Sequence, residues 1–177
     1  MRIGLSGTQS TGKTTLLNVL RSEKHFKEYQ VNDEVTRWVR SLGIDINEAG
    51  SDISQELIMM KHLWNVIMHE DMITDRTALD GLVYSKWLFY NDKISQSMMN
   101  KVQKSFERII GFYDFIFFLS PDFPLEDDGV RSTSNQWRDE IHDMFLQEIE
   151  AGKVNVIPLK GSITERVFQI YDAMEIQ

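Results

Sequence analysis

The chain of 177 residues contains no cysteine, which excludes disulfide bridges and thiolate zinc sites and leaves nothing that selects an oxidising compartment. Proline is scarce: the three prolines stand at 121, 124 and 158, so no proline-rich linker divides the chain. No apolar run approaches membrane-spanning length. No charged stretch followed by an apolar signal segment opens the sequence, and a cytoplasmic location is the expectation. Basic charge is also short. The 19 Lys and Arg are outnumbered by 27 Asp and Glu, for a net charge of -8, which opposes nonspecific attachment to nucleic acid or to an anionic membrane. Small-molecule partners are favoured, nucleic acid is disfavoured, no membrane partner is expected, and a homodimer is allowed.

What is present is ordinary for a folded domain. Apolar residues make up 42% and aromatics 11%, enough to build a real core in one unit spanning 1–177. Strand-like runs occur at 2–6, 29–33, 71–74, 114–119 and 154–158, separated by helix-like sequence. That alternation predicts an α/β fold with a parallel sheet of about five strands. Between Ser51 and His69, residues Ile53, Leu57, Leu63, Trp64, Ile67 and Met68 recur at roughly helical spacing and are assigned to the core.

The first strand runs into Gly7-Thr8-Gln9-Ser10-Thr11-Gly12-Lys13-Thr14, a complete GxxxxGK[ST] phosphate loop, and Thr15 to Leu20 reads as the helix that follows it. Strand, loop and helix stand in the order that phosphate binding needs. The loop amides and Thr15 at the helix start form an anion cradle, Lys13 reaches the β and γ phosphates, and the Thr14 hydroxyl is placed to hold Mg²⁺. ATP and Mg²⁺ are the cofactors this pattern implies.

Ligands of open α/β sheets gather at the carboxyl ends of the strands, and three polar clusters fall there. After the second strand come Asp33, Glu34 and Arg37; the spacing of Glu34 and Arg37 puts carboxylate and guanidinium on one helical face, toward an acceptor. After the third come Asp75, Arg76 and Asp80: Asp75 suits a metal ligand or a group that positions the attacking oxygen, and Arg76 suits a bidentate phosphate clamp. After the fourth comes a stretch rich in Pro, Asp, Gly, Ser and Thr that reads as a lid over 121–138, with Arg131 and Arg138 as cations to neutralise the transferred phosphoryl group. Trp38, Tyr84, Trp87 and Phe89 can stack on a base or fill the core.

On these residues the chain resembles the P-loop kinases of small nucleosides and nucleotides. Asp75-Arg76 with Tyr84 downstream is similar to the pattern of thymidylate kinases. Glu34, Arg37 and the run Asp128-Gly129-Val130-Arg131-Ser132 resemble the kinase domain of bacterial nicotinamide riboside kinases. The resemblance spans nearly the whole chain. It implies a three-layer fold of nucleoside-monophosphate-kinase type and phosphoryl transfer from ATP; similar compact kinases occur in bacteriophages, which implies such an origin and the host cytoplasm. A single Asp75 at the end of the third strand departs from the acidic run that a motor ATPase uses to activate water.

The acceptor is narrowed by its charge. A nucleoside hydroxyl needs a carboxylate to take its proton, and Asp33, Glu34 and Asp75 all qualify. A nucleoside monophosphate needs cationic clamps, which Arg37 and Arg76 offer. The arginine pair makes a (deoxy)nucleoside monophosphate kinase the first expectation, with Asp33, Glu34, Arg37, Arg76, Asp80 and Tyr84 around the acceptor. A nucleoside or nicotinamide riboside kinase comes second. A kinase acting on a modified base in DNA and an ATP-bound switch without transfer are the remaining alternatives.

Overall fold

Alternating side chains along each strand divide the interior into two halves. In the computed structural model, which describes residues 1–122 and 134–176, strands β1 (Arg2–Ser6), β2 (Gln30–Asn32), β3 (Met72–Asp75), β4 (Phe115–Leu119) and β5 (Ile157–Leu159) form one parallel sheet in the order β2-β3-β1-β4-β5. Ile3 and Leu5 of β1, Ile73 of β3 and Phe117 and Leu119 of β4 pack on one face against α1 (Lys13–Ser22) and α7 (Ile163–Ala173). Met72 and Phe118, one residue out of phase, pack on the other against α3 (Asp52–Met68), α4 (Ala78–Tyr90), α5 (Gln96–Ile109) and α6 (Asn135–Glu150). The period of two therefore builds three layers. A smaller cluster of Val35, Val39, Ile46 and Ile58 joins α2 (Val35–Ser41) to α3.

The strand order places β1 at the switch point, with β3 on one side and β4 on the other. Loops leaving the carboxyl ends of β1 and β3 consequently open on the same crevice. Register fixes this: Leu5 lies opposite Asp75, so the phosphate loop and Asp75-Arg76 leave the sheet side by side. Pro158 is accommodated because β5 is an edge strand.

The helix over the Ser51–His69 region forms as predicted, but its core face is different. Ile53, Trp64, Ile67 and Met68 are more than half exposed, and Leu63 is exposed as well; of the expected set only Leu57 packs, partly, in the α2–α3 cluster. The buried face carries Ser54, Gln55, Ile58, Met59, His62, Asn65 and Val66. Apolar periodicity pointed outward because the inward face is partly polar, and that face lines a cleft. Trp87 and Phe89 serve packing, and Trp87 also donates its indole N–H to Glu140 at 2.8 Å. Trp38 is 40% exposed on α2.

Candidate active site

The phosphate loop is shaped by backbone conformations that few residues tolerate. Gly7 has φ 139° and an added Cβ would lie 2.3 Å from the Leu119 carbonyl oxygen, so no side chain fits there. Ser10 and Gly12 also have positive φ, and Gly12 opens α1 from the left-handed region. Thr8, Gln9, Ser10, Thr11 and Lys13 are all buried, whereas Thr15 is exposed on the first turn of α1. The Lys13 ammonium donates to the carbonyls of Gly7 (2.8 Å) and Thr8 and to the Thr11 hydroxyl at 3.1 Å. Burial, then the nearby Arg76 charge, lowers its pKa to about 8. This ammonium is held over the loop, where a phosphate would supply the missing negative charge.

Asp75 ends β3 fully buried, and its Oδ2 accepts the Thr14 hydroxyl at 2.6 Å. Its Oδ1 has no hydrogen-bond partner. Burial and the Glu34 charge push the Asp75 pKa up, against the pull of Lys13 and Arg76. A hydroxyl and an orphaned carboxylate oxygen beside a phosphate loop fit Mg²⁺, which takes one or two protein ligands and completes its shell with phosphate and water. Among the described residues no group of three or more His, Cys, Asp or Glu is arranged to hold a metal ion by protein ligands alone.

Arg76 is the hub of the neighbouring cleft. Its Nε donates to Glu34 Oε1 at 2.7 Å, a terminal nitrogen lies 3.5 Å from Asp80 Oδ1, and the guanidinium sits 4.8 Å from the centre of the Tyr84 ring. Its φ is 78°, a left-handed conformation that is strained for a long side chain. Burial alone would raise the Glu34 pKa; the Arg76 charge and the Thr36 hydroxyl bond overcome this and bring it down to about 2. Glu34 is thus ionised, with Oε2 lacking a hydrogen-bond partner and Arg37 Nε 3.4 Å from it.

Asp80 is taken up by the protein itself. It closes a capping box with Thr77 at the start of α4 and accepts the Gly7 N–H at 3.3 Å, so it ties the phosphate loop to Arg76. Tyr84 is half-buried, its hydroxyl donates to Gln9 Oε1 at 3.3 Å, and its ring borders the cleft.

The structure thus gathers the phosphate loop, Glu34, Arg37, Asp75, Arg76, Asp80 and Tyr84 along one edge. Asp33 does not join them: it is exposed and pairs with Arg21 at 2.9 Å, whereas Glu34 next to it is buried. Arg138, on α6, lies 3.7 Å from Asp139. Arg131 and most of the stretch expected as a lid, residues 123–133, lie outside the described residues.

Three contributors escaped the sequence pattern. Arg166 of α7, fully buried, donates to the Thr11 carbonyl at 2.7 Å and to Asp122 at 3.1 Å, bracing the loop from 155 residues away. Gln55 and His62 of α3 line the cleft. Arg166 carries no local signal, while the polar positions at 55 and 62, seven apart on one helical face, were legible in principle.

A family model described as AAA domain matches residues 2–166. No curated protein matches the chain in sequence. Among solved structures, a deoxyadenosine kinase from M. mycoides with products dCMP and dCDP superposes with a TM-score of 0.71 at 12% identity, covering 99% of this chain and 98% of the other. The NadR protein in complex with NR gives 0.73 at 19% identity, covering 99% of this chain and 51% of that one. Thymidylate kinase from Candida albicans gives 0.65 at 14% identity, covering 98% and 90%. At such identities the likeness is one of fold. The chain belongs to the AAA domain family, and its fold is that of the P-loop nucleoside and nucleotide kinases.

Proposed function

We propose that this protein transfers the γ-phosphoryl group of ATP to a hydroxyl of a small nucleoside that carries no phosphate. The observation that carries the reading is the state of Arg76. Its guanidinium is already committed to Glu34 and Asp80, so the cleft holds a neutralised cation and an ionised carboxylate rather than an open phosphate clamp. A dianionic acceptor would have to displace those carboxylates. A hydroxyl needs one of them.

In this reading the loop from Gly7 to Thr14 holds the triphosphate, and Lys13 follows the charge that develops on the transferred group. Thr14 and Asp75 would hold Mg²⁺, which supplies charge neutralisation and a fixed in-line geometry. Glu34 accepts the proton as the hydroxyl oxygen bonds to phosphorus and the bridge to ADP breaks. Arg76 holds Glu34 in place and ionised; Asp80 keeps Arg76 and the phosphate loop in register. The structural neighbours support the same class, since one is a deoxyadenosine kinase and NadR was solved with NR and with AMP-PNP.

A monophosphate acceptor remains the second reading, supported by Arg37, whose side chain is 38% exposed beside Glu34. Mass-spectrometric product analysis with Mg-ATP and a panel of nucleosides, their monophosphates and nicotinamide riboside separates the two. New monophosphate is the expected product; new diphosphate from monophosphate acceptors alone overturns the nucleoside reading. Arg37→Ala sharpens the choice. It is expected to change the nucleoside KM by less than about threefold, because the contact is half-exposed, whereas a rise of ten times or more with the ATP KM unmoved belongs to a phosphate clamp.

A further inference from the structure

The cleft beside Arg76 contains a polar group that nothing in the described protein uses. His62 stands in its wall, 1% exposed, and neither Nδ1 nor Nε2 has a hydrogen-bond partner. Native interiors keep few such groups, because an unpaired buried donor or acceptor lowers stability. A methionine or leucine would fill similar volume without that cost. Packing therefore does not account for the residue.

The Asn65 side chain, one turn later on α3, is likewise buried without hydrogen-bond partners, but it does not line the cleft. Gln55, two helical turns before His62 on the same face, is fully engaged: its Oε1 accepts the Ser85 hydroxyl at 2.9 Å and its Nε2 donates to Ser54 at 3.2 Å. Across the cleft α4 presents Gly81, where an added Cβ would lie 3.7 Å from His62 Cδ2. The helix thus comes close to the ring without giving either nitrogen a partner. Burial first, and the Arg76 charge second, lower the His62 pKa to about 3. The ring is neutral at physiological pH, and a neutral imidazole offers one N–H donor and one acceptor at once.

We infer that His62 is a specificity-determining residue of the acceptor site, whose imidazole hydrogen-bonds the polar edge of the neutral purine or pyrimidine base of an incoming nucleoside. The inference rests on the nucleoside reading above and supplies what that reading leaves open, the part of the acceptor that is recognised. Arg76 is the common neighbour of both ends of the site: it bonds Glu34, where the proton goes, and its charge reaches His62. A site built around such a buried polar group accepts a base that pairs with it and rejects an isostere that does not.

The test uses binding rather than turnover. Protein labelled with ¹⁵N-histidine is titrated with thymidine, deoxyadenosine, deoxycytidine and deoxyguanosine, and with two apolar isosteres, in which difluorotoluene stands for a pyrimidine base and 4-methylbenzimidazole for a purine base. The His62 ring nitrogens are expected to shift with at least one natural nucleoside and not with its isostere, and that nucleoside is expected to bind on the order of tenfold or more tightly than its isostere. His62→Leu is expected to abolish this preference. His62→Gln, which keeps a donor and an acceptor, is expected to restore part of it, a rescue that a purely structural role would not show. Nucleoside binding with unmoved His62 nitrogens, or an unchanged preference in His62→Leu, overturns this inference and leaves the nucleoside reading standing. A wild-type protein that binds none of the nucleosides overturns both.

Discussion

Arg76 is held in a backbone conformation that costs a non-glycine residue on the order of 1–3 kcal/mol, and its side chain shows what offsets the cost. The Arg76 N–H donates to the Leu5 carbonyl at 2.9 Å and its carbonyl accepts the Thr74 hydroxyl at 3.1 Å, while Glu34 and Asp80 fix the guanidinium. Such strain is retained where a side chain must be aimed, and here it is aimed at Glu34. Lys13 is the other residue with a single assignable task. Lys13→Ala is expected to reduce transfer by about a thousandfold or more, since it removes the main cation on the transferred group, and to leave the far-ultraviolet circular dichroism spectrum unchanged. Retained turnover in that variant would remove Lys13 from the chemistry.

His62 also makes a prediction about stability. Its folded pKa, about 3, lies below the ordinary histidine value of 6.5, so the unfolded chain takes up a proton that the folded chain refuses. The stabilisation is complete above about pH 6.5 and is lost as pH falls toward 3. Relative to His62→Gln, the wild type is expected to lose roughly 2 kcal/mol between pH 7 and pH 5, read from urea unfolding of the two proteins side by side. Parallel curves over that range would show that His62 is not held neutral. Glu34 acts at lower pH: with its folded pKa lowered from 4.5 to about 2, its contribution is present above about 4.5 and fades as pH falls toward 2.

At the scale of elements, α7 and α3 carry the features that the sequence did not announce. Arg166 joins α7 to the phosphate loop from a fully buried position. Arg166→Met keeps the length of the side chain and removes both donors; it is expected to destabilise the fold by about 2–4 kcal/mol and to raise the KM for ATP more than that for the acceptor. Thermal denaturation and steady-state kinetics check the two halves, and an unaltered melting temperature would contradict the bracing role. The exposed side of α3 displays Ile53, Met60, Trp64 and Ile67, spaced so that they share one face. Apolar stripes of this kind mark association surfaces. If copies of the chain pair through it, Trp64→Lys lowers the sedimentation coefficient without lowering transfer per site; an identical sedimentation profile excludes this face.

What could be read beforehand follows from the physics of each element. The phosphate loop was legible because phosphate geometry fixes residue types at fixed spacing over eight positions. Strand β1 has the expected bounds and β2, β3 and β4 differ from theirs by no more than one residue at either end, whereas β5, short and at an edge of the sheet, starts three residues later than expected. The face of α3 was misread for a reason that bears on function: Gln55, His62 and Asn65 occupy buried positions that hydropathy assigns to solvent. Glu34 and Arg76 were legible as candidates from their places after strands, and the structure brings them together. Their pairing, which turns a presumed phosphate clamp into a held carboxylate, depends on a contact across 42 residues.

For the whole molecule, the -8 charge and the buried carboxylates point the same way. A long-range field that repels polyanions surrounds a cleft in which Arg76 is already paired with Glu34 and Asp80, and the phosphate loop offers an anion site beside it. Among the described residues no helix is long and apolar enough to cross a membrane. The arrangement that the proposed reaction needs is one sheet edge that joins a triphosphate cradle to a carboxylate for a neutral hydroxyl. It is tested most directly by comparing Glu34→Gln with the wild type in single-turnover transfer from ATP to the nucleoside that the product analysis identifies. The predicted result is a fall of about a hundredfold to ten-thousandfold in the transfer rate, with ATP and nucleoside affinities within a few fold of the wild type. Transfer at the wild-type rate would remove Glu34 from the reaction, because the proton would then have another destination.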